Sequence, residues 1–237
     1  MTHETDAQLA TRLAVEAGHV LLKVREELAG AASWRVMDMG DIASHQFLVD
    51  QLKLHRPDDA VMSEEGVDDP RRFTKDRVWI VDPLDGTNEF GERGRHDWAV
   101  HVALWHDGAF AAGAVSLPAI DMVFSTDPAP VVPPPQWERP RLVTSRNRNP
   151  PAAVIVANAM GCDAVRLGSA GAKAMAVMLG EADIYVTHTP CVHCFKTIVN
   201  TGIRRVFYEK PYKLETIAEL RERAGVELVQ VTVPARG

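Results

Sequence analysis

The sequence predicts an α/β protein. Two observations carry that prediction: an opening segment with helical apolar spacing and, beyond a proline cluster, strands and helices that alternate. A third observation raises the functional question, because a short apolar strand near residue 80 runs straight into two aspartates.

Leu9, Leu13, Ala17, Leu21, Val24 and Leu28 recur at helical steps, and Thr5 with Gln8 has the spacing of a capping box. The first helix is therefore expected to start at Thr5 and to stop at Gly30. A second amphipathic stretch runs from about Ile42 to Leu54 and ends before Pro57, which leaves Asp41 just ahead of it. Val78-Trp-Ile-Val81 reads as a buried strand. Residues 96–105 alternate through Trp98, Val100, Val102 and Leu104, and His106-Asp-Gly108 turns the chain into a third strand through Val115. His96 and Asp97 read as turn residues.

Pro128, Pro130, Pro133, Pro134 and Pro135 cannot sit in a regular core element, so a linker is expected over 128–140. Beyond it come a strand at 142–144, a helix at 151–160, a strand at 164–167, a helix at 170–179 and a strand at 183–186. A helix at 191–200, a strand at 206–208, a helix at 214–224 and a strand at 226–233 complete the series. Such alternation predicts a largely parallel sheet covered by helices.

Composition narrows the function classes. The chain has 237 residues, and at about 150 residues per domain that suggests one large or two modest domains. Apolar residues make up 46%, charged residues 24%, and the formal net charge is −6, the opposite of a nucleic-acid scaffold. A phosphorylated small substrate remains compatible, because a bound cation supplies positive charge locally. The polar start, Met1-Thr-His-Glu-Thr-Asp-Ala-Gln8, has no apolar signal core, and no apolar run is long enough to span a bilayer. With Cys at 3, a disulfide framework is not expected, and a reducing cytoplasm is.

The chemistry concentrates in Trp79-Ile-Val-Asp-Pro-Leu-Asp-Gly-Thr87. Pro83 fixes a turn, Gly86 permits close backbone approach, and Asp82 and Asp85 can converge at the strand's end. Placing two carboxylates directly behind apolar residues is costly unless a cation compensates. Upstream stand Ser63-Glu64-Glu65, which alone read as an acidic surface turn, and Gly40-Asp41. Hard oxygen ligands of this kind suit Mg²⁺, and a pair of such ions is the logic of metal-assisted phosphate ester hydrolysis.

In order and spacing over about residues 5–186, these motifs resemble the inositol monophosphatase superfamily. The likeness rests on Gly40-Asp41, Met62-Ser-Glu-Glu65, Asp82-Pro-Leu-Asp-Gly-Thr87 with Asn88-Glu-Phe90, and Asp97-Trp-Ala-Val-His-Val-Ala-Leu104. Gly168-Ser-Ala-Gly-Ala-Lys-Ala-Met-Ala-Val177 and Gly180-Glu-Ala-Asp-Ile-Tyr185 extend it. Within the superfamily the likeness is strongest to the CysQ-type branch, which acts on 3'-phosphoadenosine 5'-phosphate. The resemblance implies a layered α/β/α/β/α sugar-phosphatase fold. Residues 1–127 would form the metal-binding domain and 141–186 part of a second α/β domain. It implies Glu64, Asp82, Asp85 and the Leu84 carbonyl as Mg²⁺ ligands, with Asp41 and Thr87 orienting the attacking water. The backbone of Asp85, Gly86, Thr87 and Asn88 would cradle the phosphate, with Glu64 beside it, and Gly168, Ser169 and Lys173 would face the rest of the substrate. The partner would be a small phosphorylated metabolite, with no nucleic acid and no membrane, and a homodimer is the assembly expected. Inositol monophosphate and fructose 1,6-bisphosphate fit the same metal chemistry.

The pattern departs after Tyr185. The superfamily continues with a Trp-Asp that completes a second metal site, whereas the five Trp here are followed by Arg35, Ile80, Ala99, His106 and Glu138. Instead, Thr187-His-Thr-Pro-Cys-Val-His-Cys194 and the strand after it resemble the Pro-Cys-x-x-Cys half of cytidine and deoxycytidylate deaminases, so 187–237 is expected to form a parallel βαβ tail of that type. Those enzymes also need a His-x-Glu, and none of the nine His is followed two positions later by Glu. Cys191 and Cys194 remain open as a Zn²⁺ pair with His188 or His193, a redox pair, or an inert remnant. The function classes that follow are a phosphatase impaired by the missing Trp-Asp, a deaminase lacking its acid/base Glu, and a folded inactive chimera. Cys162, Met160, Met175 and Met178 read as core residues, and Arg146 and Arg148 as a solvated loop.

Overall fold

The structure, a computed structural model, describes residues 4–67, 69–133, 137–147, 151–189, 195 and 205–232. Helix α1 (Asp6–Glu27) starts where the capping box places it: the Gln8 amide donates to Thr5 Oγ1 and the Thr5 amide to the Gln8 side chain. It buries Leu9, Leu13, Ala17 and Leu21 on one stripe, and it ends before Gly30 with Leu28 as its cap.

Helix α2 (Ser33–His55) begins nine residues earlier than the apolar pattern predicts. Its buried stripe is Val36, Gly40, Ser44, Leu48 and Leu52, so the first half of the stripe is marked by small residues rather than large apolar ones. Asp41 therefore lies inside the helix, not ahead of it, and its backbone is held by helical hydrogen bonds.

Five strands form one sheet in the order β1-β2-β3-β4-β5: β1 (Ala60–Ser63), β2 (Arg77–Asp85), β3 (Ala99–His106), β4 (Ala109–Leu117) and β5 (Met122–Ser125). β1 runs parallel to β2 and the other neighbours are antiparallel. The four-residue strands β1 and β5 went unpredicted, being too short to show alternation. α1 and α2 pack on each other and on this sheet around Trp79, Val81, Trp98, Val100, Val102 and Leu104. Phe90, from the short helix α3 (Thr87–Gly91), meets Trp98 edge-on at 5.1 Å, and the Arg25 guanidinium lies over both rings.

The chain divides into two compact units, Met1–Ala129 with Gly168–Ala172, and Pro130–Leu167 with Lys173–Gly237. In the second, β6 (Arg141–Ser145) pairs in parallel with β7 (Asp163–Leu167), with α4 (Pro151–Met160) between them in sequence. α5 (Ala170–Met178), whose first three residues belong to the first unit, leads to β8 (Ile184–His188). β8, β9 (Arg205–Lys210) and β10 (Glu227–Gln230) form a parallel sheet in the order β10-β9-β8. α6 (Ala218–Ala224) precedes β10. Phe195, Val206, Ile217 and Val226 form the core of this last segment. The rest of the helix expected over 191–200, and with it Cys191 and Cys194, lies outside the described residues. Among the described residues no helix is long and apolar enough to cross a membrane.

Candidate active site

The site begins with β2. Trp79 and Val81 are buried, and Trp79 Nε1 donates to the buried Asp59 at 2.8 Å, which fixes the strand before it reaches the aspartates. Asp82 pairs with His101 across the β2–β3 ladder and Asp85 with Ala99, with a register shift between the two aspartates. In a regular strand residues i and i+3 face opposite ways, and the irregularity at Pro83-Leu84 re-aims Asp85 towards the side of Asp82.

The turn is held from several sides. Ser44 Oγ, buried one helical turn beyond Asp41, donates to the Pro83 carbonyl at 2.7 Å. The Leu84 amide donates to Asp82 Oδ1 at 3.2 Å, and Thr87 Oγ1 donates to the Leu84 carbonyl at 3.1 Å. Gly86 has φ +91°, and a Cβ there would sit 2.9 Å from the Ser169 side chain. That position accepts only glycine, on both backbone and space.

Asp85 is ringed by donors. Its Oδ2 accepts from His101 Nε2 at 3.0 Å, Ser169 Oγ at 2.6 Å and the Gly171 amide at 2.5 Å, and its Oδ1 accepts from the Ala170 amide at 3.1 Å. Burial pushes this carboxyl up, but His101, Ser169 and Gly171 outweigh it and hold Asp85 well below the usual carboxylate range.

Asp82 and Asp41 behave in the opposite way. Burial, then the charges of Asp85 and Glu64, push Asp82 up to about 7. Burial, then Glu65, Asp82, Asp38 and Glu64, push Asp41 up to about 7. Asp41 Oδ1 is a buried oxygen without a hydrogen-bond partner. Asp82, Asp85 and His101 can each offer a ligand atom, all within 4.8 Å of one another. Crowded carboxylates, an orphaned buried oxygen and converging donors fit a divalent cation, which would relieve each of these costs.

The remaining candidates are placed as follows. Glu64 is exposed at the end of β1, its amide donating to the Val81 carbonyl at 3.3 Å. Leu84 is buried, Thr87 is half-buried and Asn88 is exposed at the start of α3. Gly168 and Ser169 belong to the first unit and reach the site through Asp85 and Asp97, whereas Lys173 belongs to the second.

Two residues of the site escaped the sequence reading. His101 was legible only as part of a motif; the alternation puts it opposite Val100 and Val102, but its meeting with Asp82 requires the strand register. Asp97 is more than the turn residue expected, since it is 2% exposed and accepts from Arg95 and from the Gly168 amide.

Residues 3–196 match the inositol monophosphatase family. The chain belongs to that family. It is 42% identical over 194 residues to a 3'-phosphoadenosine 5'-phosphate phosphatase of Mycobacterium leprae, a match covering 77% of this chain and 72% of the relative. The solved structure of CysQ from Bacteroides thetaiotaomicron, a bacterial member of the inositol monophosphatase family, shares the fold with a TM-score of 0.64 at 22% identity, over 78% of this chain and 80% of that one. A separate short match, 51% identical over 51 residues, relates 21% of this chain to 27% of ComE operon protein 2 of Bacillus subtilis. This inositol monophosphatase family chain thus has the mixed α/β fold of its relatives. Its family match ends at residue 196, just past Cys194.

Proposed function

We propose that this protein is a Mg²⁺-dependent phosphomonoesterase that removes the 3'-phosphate of 3'-phosphoadenosine 5'-phosphate. The observation that carries the reading is the convergence of Asp82 and Asp85 behind a buried strand, beside the unpartnered Asp41 Oδ1. The 42% identity to a 3'-phosphoadenosine 5'-phosphate phosphatase supports the choice of substrate.

Glu64, Asp82, Asp85 and the Leu84 carbonyl would hold the cation. Bound there, Mg²⁺ supplies positive charge to the phosphate oxygens and the leaving oxygen. The chain's own groups do the rest. Thr87 Oγ1 spends its hydrogen on the Leu84 carbonyl, so its lone pairs are left to accept from the attacking water. Asp41, whose Oδ1 has no partner and whose carboxyl is pushed up to about 7 by burial and then by Glu65, would take that water's second hydrogen bond and its proton. The water oxygen bonds to phosphorus as the ester P–O bond breaks, and the leaving 3' oxygen takes up a proton from solvent water to become a hydroxyl. Backbone amides over Gly86–Asn88 would cradle the phosphate, and Gly168 and Ser169 would meet the nucleoside.

Phosphate release by the purified chain tests this, with 3'-phosphoadenosine 5'-phosphate, inositol monophosphate and fructose 1,6-bisphosphate compared under Mg²⁺ and under EDTA. Mg²⁺-dependent release favouring the nucleotide is expected. A folded chain that releases phosphate from none of the three overturns the reading.

A further inference from the structure

The donor set around Asp82 and Asp85 is not purely oxygen. His101 stands directly opposite Asp82 in the β2–β3 register, and its Nε2 lies 3.0 Å from Asp85 Oδ2. Among the described residues, Asp82, Asp85 and His101 have ligand atoms within 4.8 Å of one another, while Glu64 is exposed. We propose that His101 Nε2 is a direct ligand of the cation held by Asp82 and Asp85, and that this nitrogen tilts the site towards Mn²⁺ and its neighbours over Mg²⁺. The inference rests on the phosphatase reading and adds to it the choice of metal.

The distances carry the argument. Metal–ligand bonds of about 2.1 Å at right angles put adjacent ligand atoms about 3.0 Å apart, the edge of an octahedron. His101 Nε2 and Asp85 Oδ2 already have that separation. A cation between them takes the place of the hydrogen they share, with the imidazole hydrogen then on Nδ1. Asp85 Oδ2 also accepts from Ser169 and Gly171, so its orientation does not depend on His101 alone. The imidazole is therefore free to change partner without releasing the carboxylate. Imidazole nitrogen binds first-row transition metals well, whereas Mg²⁺ keeps to oxygen and water.

Mn²⁺ is the probe of choice, because Zn²⁺ would be drawn to the thiols of Cys191 and Cys194. Pulsed EPR on the Mn²⁺-loaded full-length chain should show ¹⁴N coupling from a directly bound imidazole. His101→Gln keeps an N–H donor for Asp85 but removes the imidazole; it should bind Mn²⁺ without that coupling. Its Mn²⁺ affinity should fall by about tenfold or more, the scale set by losing a metal's supporting partner, with a smaller change for Mg²⁺. Mn²⁺ bound without ¹⁴N coupling in the unmodified chain, or coupling that survives in His101→Gln, overturns the proposal and leaves the phosphatase reading intact. A folded chain that binds Mg²⁺ but no Mn²⁺ also overturns the proposal alone, whereas one that binds neither cation overturns the phosphatase reading with it.

Discussion

The Gly168 amide donates to Asp97 Oδ2 at 2.7 Å, although the two residues are 71 positions apart. The same aspartate is gripped by Arg95, and its carbonyl accepts from the Ser169 amide. Ser169 and the amides of Ala170 and Gly171 then close on Asp85. Two carboxylates thus pin one short segment to the site, and the fit is tight: a Cβ on Gly168 would collide with the Glu89 carboxyl carbon.

Asp97→Ala removes the first pin. Loss of hydrogen bonds to a buried charge typically costs about 1.5–3 kcal/mol. The variant is expected to lose stability on that scale and to exchange the Gly168 and Gly171 amide hydrogens faster, with amides in β3 and β4 less affected. Hydrogen-exchange mass spectrometry checks this, and unchanged exchange over 168–172 would assign the hold to Asp85 alone.

The acidity of the site predicts a pH dependence. Asp41 and Asp82 are each raised from 3.8 to about 7 in the folded chain. A carboxyl raised by folding keeps its proton longer in the native state, so its contribution to stability is full below its unfolded value and is lost as pH rises towards the folded one. Asp85 and Asp97 are lowered, and their contribution is lost only on acidification, below this window. A divalent cation competes with the protons on Asp41 and Asp82. The rise in Tm on adding Mg²⁺ should therefore grow between about pH 5.5 and about pH 8. A rise that is flat or larger at the acid end would mean that Asp82 is not a ligand of the cation and that Asp41 does not feel its charge.

How far the site was legible follows from which signals are local. The Thr5–Gln8 capping box and the stripe through Leu21 are short-range, and α1 obeys them. The start of α2 was hidden because Gly40 and Ser44 carry the buried stripe there; Ser44 is buried to reach the Pro83 carbonyl, a tertiary reason invisible to an apolar count. Asp82 and Asp85 announced themselves by following an apolar strand. His101 could not do so, because its partner is set by the β2–β3 register and by the shift between the two aspartates. Asp97 looked like a turn residue, since its carboxylate is spent on a segment far along the chain.

The Cys191–Cys194 tail predicts an absence of chemistry. No His is followed two positions later by Glu, so no residue is supplied for the general acid/base role, which is typically worth 10²–10⁴-fold. Incubation with dCMP and Zn²⁺ should release no ammonia. Zinc-dependent release abolished by Cys191→Ala would overturn this and restore the deaminase reading.

The missing Trp-Asp predicts the size of the activity. Glu64, Asp82 and Asp85, with the Leu84 carbonyl, supply oxygen ligands for one ion, whereas a second would only share Asp82 and Asp85 without the late carboxylate. The donors nearest in sequence, His188, Cys191 and Cys194, are softer and suit Zn²⁺ better than Mg²⁺. Asp85 is also heavily engaged by His101, Ser169, Ala170 and Gly171, which any second ion must displace in part. Losing one electrostatic stabiliser of the transition state typically costs about 10²–10³ in rate. Phosphate release should therefore be slower than that of a relative with the Trp-Asp by at least this factor. Calorimetry should resolve one Mg²⁺ bound tightly and a second weakly or not at all. Asp82→Asn should abolish both Mg²⁺ binding and turnover, since that carboxylate belongs to both positions. A rate equal to that of a complete relative, with two Mg²⁺ bound tightly, would show that a tail residue replaces the late aspartate.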